Sequence, residues 1–263
     1  MFPDLSGTRI IFPFILATYF FINIFSCDRP THDIHMNSFV ADMHNDVLLR
    51  ALEGYDILSN LPDAQSDLEK FIIGGVDLQA FSVWVSPYEF QKSEYYQAAD
   101  KMINKLEFLC SRVPDKWGII RSYQDINYNL ENKIMSCMIG LEGGHIIGDD
   151  IKKIDHFYNR GMRYLGLTWN NSNSIGSSAK DEANNLSKLK KVGLTDFGKR
   201  VVKKCNDLGV MIDISHSGEK TFWDVIKITN KPIIASHSSV FSLCPHYRNL
   251  KDDQLKAIRE NGG

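Results

Sequence analysis

TDFGKRVVKKCNDLGVMIDISH, residues 195–216, decides the fold. Its first part reads as an amphipathic helix, with Thr195 placed to cap the amino end and Gly209 just past the carboxyl end. Its second part, VMIDISH, is an apolar run with little alternation, the pattern of a strand buried on both faces. The same alternation extends in both directions. Upstream lie VADMHNDVLL (40–49, strand-like), DAQSDLEKFIIGG (63–75, helix), GVDLQAFSVWV (75–85, strand) and YYQAADKMINKLEFLC (95–110, helix). They are followed by KIMSCMIGLEGG (133–144, strand and turn), IKKIDHFYNRG (151–161, helix) and MRYLGLTW (162–169, strand). Downstream lie EKTFWDVIKIT (219–229, helix), PIIASHS (232–238, strand) and LKDDQLKAIRENGG (250–263, helix).

Strands that alternate with helices predict βα units and a parallel sheet. Two architectures compete, a doubly wound open sheet and an eight-stranded TIM-type barrel. No GxGxxG follows the first strand, which removes the simplest argument for a dinucleotide fold. The polar residues able to do chemistry sit at strand carboxyl ends, where a (β/α)8 barrel keeps its active site. The expected fold is therefore α/β, of the (β/α)8 TIM-barrel type. Six βα units are legible where a barrel needs eight, and the sequence stops at Gly263, where a seventh strand is due. The expectation is a barrel lacking its last two strands.

The 263 residues suggest one large domain, with two small ones as the alternative. A formal net charge of −2 implies no broad basic surface and no nucleic-acid partner. The lysine-rich SKLKKVG (187–193) reads as a solvated loop or helix end. The first residues differ from the rest. Ile10–Phe25 is an uncharged apolar run of 16 residues, short for a membrane span of roughly 20 and suited to a signal-peptide core. Ser26-Cys27 directly after it resembles a bacterial lipoprotein signal, in which the Cys becomes the lipid-modified first residue. An ordinary cleaved signal and an uncleaved anchor stay open. All three readings place the domain outside the cytoplasm, on the outer side of the cytoplasmic membrane or in the periplasm. The expected division is a signal peptide over 1–27, a linker over 28–37 and a barrel domain over 38–263. None of Cys27, Cys110, Cys137, Cys205 and Cys244 forms a CxxC pair, and Cys137 and Cys205 fall in apolar patterns as core residues.

Candidate metal ligands fall at four strand ends. His44 and Asp46 are two apart on the first strand and can reach one ion. Glu142 ends the third strand, His216 the fifth and His237 the sixth. Each alone has a bland reading: a lone HxD is common, and a strand-end His more often makes a structural hydrogen bond. Their recurrence at the same end of one βα series points to metal. Three imidazoles and two carboxylates suit zinc, and suffice for two ions if one carboxylate bridges. His32, His35, His156 and His246 lie in the leader junction, a helix face or a loop and are not expected to be ligands, and His145 supports Glu142.

The blocks DMHNDVL, GVDLQAFSVWV, GLEGGH, GMRYLGLTWNNSN, GLTDFGKRVV, GVMIDISHS and PIIASHSSVFSLCPHYRNLKDDQLKAIRENGG, in this order, resemble those of the membrane (renal-type) dipeptidase family of zinc metallopeptidases. The resemblance runs from about residue 38 to the end. It implies a metal-dependent-hydrolase barrel with two zinc ions: His44 and Asp46 on one, His216 and His237 on the other, and Glu142 bridging as the catalytic carboxylate. It implies that a hydroxide between the ions attacks the carbonyl of a dipeptide, and that Arg248 in HYRN pairs with the dipeptide's free carboxylate. A homodimer stays open as an assembly. The sequence departs from the family pattern twice. Trp169 stands where the animal enzymes carry a substrate-binding His, so Trp169 is expected to line the substrate site. The sequence also stops before the family's Asp-Phe-Asp-Gly block, whose Asp handles the catalytic proton. A truncated, inactive metal- or peptide-binding lipoprotein is the alternative. Another amidohydrolase-type barrel would carry a Lys ligand at the fourth strand end, where this sequence has Thr168-Trp169.

Overall fold

The computed structural model describes residues 34–263. The expected signal peptide over 1–27, with its lipoprotein Cys27, lies outside the described residues. The compact unit that carries the sheet runs from Ala41 to Gly263. Among the described residues no helix is long and apolar enough to cross a membrane.

All strand pairings are parallel. Six strands form one path in the order β1 (Ala41–Asn45), β2 (Leu78–Trp84), β4 (Met135–Glu142), β5 (Met162–Gly166), β6 (Met211–Asp213) and β7 (Ile233–Ile234). These are the six strands read from the sequence, each shorter than its apolar run. Between neighbours along the path lie the helices Tyr95–Arg112, Lys152–Asn159, Asp196–Leu208 and Glu219–Ile228, and Asp252–Asn261 follows β7. The series is that of a (β/α)8-type barrel, of which six units are present.

Three local differences stand out. VADMHNDVLL is not one strand: β1 stops at Asn45, whose side chain accepts from the Val47 amide, and Val47–Leu52 is helical. Helix 63–75 shrinks to Leu68–Ile73, because Asp67 caps its amino end by accepting from the Lys70 amide. A short strand β3 (Trp117–Ile119) and a helix at Tyr123–Glu131 occupy a stretch that carries no clear period. The helix buries only Asn129, so apolar spacing is no guide to it. Its signal is the reciprocal cap between Ser122 and Asp125.

The sheet has two apolar faces with different partners. Phe81, Val83, Ile139, Leu141, Leu165, Ile212 and Ile233 pack outward in the main core with helix residues such as Leu106, Phe157, Val201 and Phe222. Leu78, Ala80, Met138 and Tyr164 point the other way and form a separate cluster, against which Met43, Met211 and Ile234 pack. Every strand of the path contributes to this inner cluster. The sheet is therefore curled around it. The imidazoles of His44 on β1 and His237 beyond β7 confirm the curl, with ring centroids 3.8 Å apart. In a flat sheet the edges of six strands would lie roughly 24 Å apart, at about 4.8 Å per strand.

Tyr164 fills the interior because Gly140 opposite it has no side chain. A Cβ at Gly140 would lie 1.8 Å from the Tyr164 ring, and Tyr164 is fully buried. Gly140→Ala is expected to cost about 1–3 kcal/mol through overpacking, read as a lowered urea midpoint at unchanged m-value.

Candidate metal centre

Parallel pairing puts the carboxyl ends of all strands at one edge, and the expected residues meet there. Glu142 is the last residue of β4, in register with Trp84 of β2 and Gly166 of β5. It is buried, at 5% exposure. Its two oxygens face different partners. Oε1 lies 3.0 Å from His216 Nε2 and 3.3 Å from His237 Nε2. Oε2 lies 3.6 Å from His44 Nε2 and accepts from Ser82 Oγ at 3.1 Å. His44 Nε2 is also 3.5 Å from Asp46 Oδ1. The five residues expected to hold metal thus lie together, and His44, Glu142 and His237 offer ligand atoms within 4.8 Å of one another.

The backbone is shaped for this. His216 adopts φ 66°, a left-handed conformation that costs a non-glycine residue about 1–3 kcal/mol and persists where the surroundings over-determine it. Its amide region is tied down by Ala179, which donates to the His216 carbonyl. Gly143, directly after Glu142, has φ 101°, and a Cβ there would lie 2.4 Å from the His145 ring. His145 is buried, its Nε2 donating to the Val85 carbonyl at 2.9 Å, with its ring edge-on to Tyr95. It packs against Gly143, the residue after Glu142.

Hydrogen bonds fix the imidazole tautomers. Asp213 is buried and accepts from the Ser215 and Ser236 amides and from Ser236 Oγ at 2.5 Å. The Ser236 proton is thereby used, so Ser236 Oγ accepts from His237 Nδ1 at 2.8 Å. His216 Nδ1 likewise donates to Asn170 Oδ1 at 3.0 Å. Both Nε2 atoms are left with lone pairs, and these meet at 2.9 Å beside a carboxylate. Two lone pairs and an anion converging without a proton between them are the donor set of a cation site. Anchored Nδ1–H groups of this kind are how metal-binding imidazoles are oriented.

The electrostatics agree. Burial opposes ionisation of Glu142, but the imidazoles of His216 and His237 against Oε1 and the charge of His44 outweigh it and hold the carboxyl far below its usual range. Burial likewise works against the charge of His44, yet Asp46 and Glu142 raise it above its ordinary value. For His216 burial prevails and lowers it, favouring the neutral ligand form. Burial pushes the Tyr164 hydroxyl well up, so it stays protonated beside His44 Nδ1, 3.5 Å away.

Arg248 reaches the same edge. Its Nη2 donates to the His237 carbonyl at 3.2 Å, and its guanidinium, half-buried, lines a cavity of about 370 Å³ with Tyr247, Phe241 and Ser238. Trp169 stands three residues beyond β5, its ring 6.1 Å from that of His216. His156 pairs with Asp100 at 2.9 Å on a helix face, and His246 sits in a loop, its Nδ1 accepting from the Arg248 amide. Asp213, Ser236, Asn170 and Ser82 escape a reading of the sequence alone. Asp213, three residues before His216, and Ser236, immediately before His237, were the available signals.

Donors of this kind at the carboxyl edge of a βα barrel define a metal-dependent hydrolase. Residues 29–263 match the model of the membrane dipeptidase family, peptidase family M19, and the chain belongs to that family. It is 31% identical over 251 residues to an uncharacterised protein of the PQQ-III 3′ region of Acinetobacter calcoaceticus, covering 85% of this chain and 78% of that protein. It is 32% identical over 234 residues to mouse dipeptidase 3, covering 85% of this chain and 45% of the relative, so it spans less than half of that protein. Among solved structures, a metallopeptidase from Rhodobacter sphaeroides bound to a phosphinate mimic of L-Ala-D-Ala superposes with a TM-score of 0.76 at 26% identity, over 86% of this chain and 72% of that one.

Ser236→Ala removes the acceptor that orients His237 Nδ1. It is expected to weaken metal binding about 10–100-fold, measured by competition with a chromophoric chelator, while the circular dichroism spectrum stays unchanged.

Proposed function

We propose that this chain hydrolyses dipeptides at a two-zinc centre held by His44, Asp46, Glu142, His216 and His237. One observation carries the reading: the two oxygens of Glu142 face separate imidazole groups, His44 on one side and the His216–His237 pair on the other. A carboxylate so placed is suited to bridge two ions, with His44 and Asp46 on the first and His216 and His237 on the second. The donor types, imidazole nitrogen and carboxylate oxygen, are those zinc accepts. When bound, the ions supply an activated water and polarisation of the scissile carbonyl.

The protein's own groups do the rest. Arg248 takes the free carboxylate of the dipeptide: a guanidinium offers two parallel donors to a carboxylate and keeps its charge even where burial lowers its pKa. Its bond to the His237 carbonyl fixes it relative to the cluster. Glu142 is the catalytic carboxylate, holding the two halves of the centre in register. Trp169 lines the substrate side of His216. We place the domain outside the cytoplasm, carried by the apolar leader and its Ser26-Cys27, with the barrel domain from residue 38 onward.

The test is metal content and turnover of the full-length protein. About two zinc ions per chain and hydrolysis of dipeptides are expected, and both disappear on dialysis against a chelator. A metal-free protein with no activity on any dipeptide sinks the reading. Zinc at about 1,000 times its dissociation constant is expected to stabilise the fold by about 4 kcal/mol, read as a raised melting temperature. Arg248→Ala is expected to raise KM roughly 10–100-fold, by loss of a charged hydrogen-bonded pair, with a smaller effect for Arg248→Lys.

A further inference from the structure

Three aromatic rings converge beside the histidine cluster. The Trp169 ring lies 5.0 Å from that of Trp84 and 5.9 Å from that of Tyr88, tilted by 53° and 68°. Trp84 ends β2 in register with Glu142, and Trp169 follows β5, whose Gly166 is also in register with Glu142. The wall therefore rises from the two strands that flank β4. Arg248 reaches the cluster from beyond β7. The two indoles are half-buried and Tyr88 is 73% exposed, so a bound molecule can lie against the rings. Trp84 Nε1 is buried and meets no acceptor among the described residues.

We infer that Trp84, Tyr88 and Trp169 form the subsite for the side chain of a dipeptide's amino-terminal residue, and that this subsite selects bulky aromatic or aliphatic side chains. The inference rests on the dipeptidase reading above. With the substrate carboxylate on Arg248 and the scissile carbonyl at the cluster, the amino-terminal residue extends away from β7, toward the ends of β2 and β5. There it meets a surface of three π-systems with no formal charge. Such a surface selects by apolar contact and shape. The three rings pack against one another, so that the wall is continuous.

The experiment uses the full-length, zinc-loaded protein and phosphinate analogues of Phe-Ala, Lys-Ala and Gly-Ala, with affinities measured by calorimetry and kcat/KM measured for the three matching dipeptides. The Phe analogue is expected to bind about tenfold or more tightly than the Gly analogue, with a parallel ratio in kcat/KM. The Lys analogue is expected to bind no better than the Gly analogue. In Trp169→Ala the Phe-to-Gly ratio is expected to fall below about threefold, while Trp169→Phe keeps it. Tyr88→Ala, at an exposed position that leaves the core untouched, is expected to lower the ratio as well. Equal binding of the Phe and Gly analogues, tightest binding of the Lys analogue through cation–π contact, or a ratio intact in Trp169→Ala overturns the inference and leaves the dipeptidase reading standing. Failure of all three analogues to bind overturns that reading and this one with it.

Discussion

The carboxylate of Glu142 is the constraint on which the structure depends. It is buried at the end of the central strand β4, and each oxygen is committed to a different imidazole group. His44 comes from the first strand of the path and His237 from the loop after the last. A single side chain thus ties together the two edges of a curled sheet. Buried charge without partners is expensive. The site consequently surrounds it: Ser82 donates to Oε2, and imidazole nitrogens face both oxygens.

The supporting shell follows from that commitment. Asp213 governs one of the Glu142 partners through Ser236. Asn170 governs the other. Each anchors an Nδ1–H, and each thereby turns an Nε2 lone pair inward. The strained φ of His216 and the positive φ of Gly143 belong to the same arrangement. Both local departures lie within three residues of a strand end, where the chain must turn sharply and still aim a polar group at a common point. The inner cluster of Leu78, Ala80, Met138 and Tyr164 closes the floor beneath the site. Gly140 makes room for the Tyr164 ring, whose hydroxyl comes to His44 Nδ1.

Much of this is legible in the sequence. Six strands could be read because each is an apolar run set off by helices or turns, four of them ending on a candidate ligand, and helices such as Asp196–Leu208 carry both a period and caps. β3 could not, since three residues are too few to show a pattern. Helix Tyr123–Glu131 could not, since it buries one polar side chain rather than an apolar stripe. The division of the sheet into inner and outer faces was also hidden. When both faces are apolar, the two-residue alternation that would reveal them is lost.

The sequence by itself determined which groups are available and at which strand ends: His44 and Asp46, Glu142, His216, His237, with Arg248 beyond. Parallel βα order then obliges them to share one edge. Only the tertiary structure decided how they meet. Which oxygen of Glu142 faces which imidazole, which nitrogen keeps its lone pair, and that His44 stacks on His237 all depend on the curl of the sheet and on hydrogen bonds from residues far apart in sequence. Local pattern has no access to these, because strand twist and coiling accumulate over the whole sheet and only the assembled barrel wall sets the final distances.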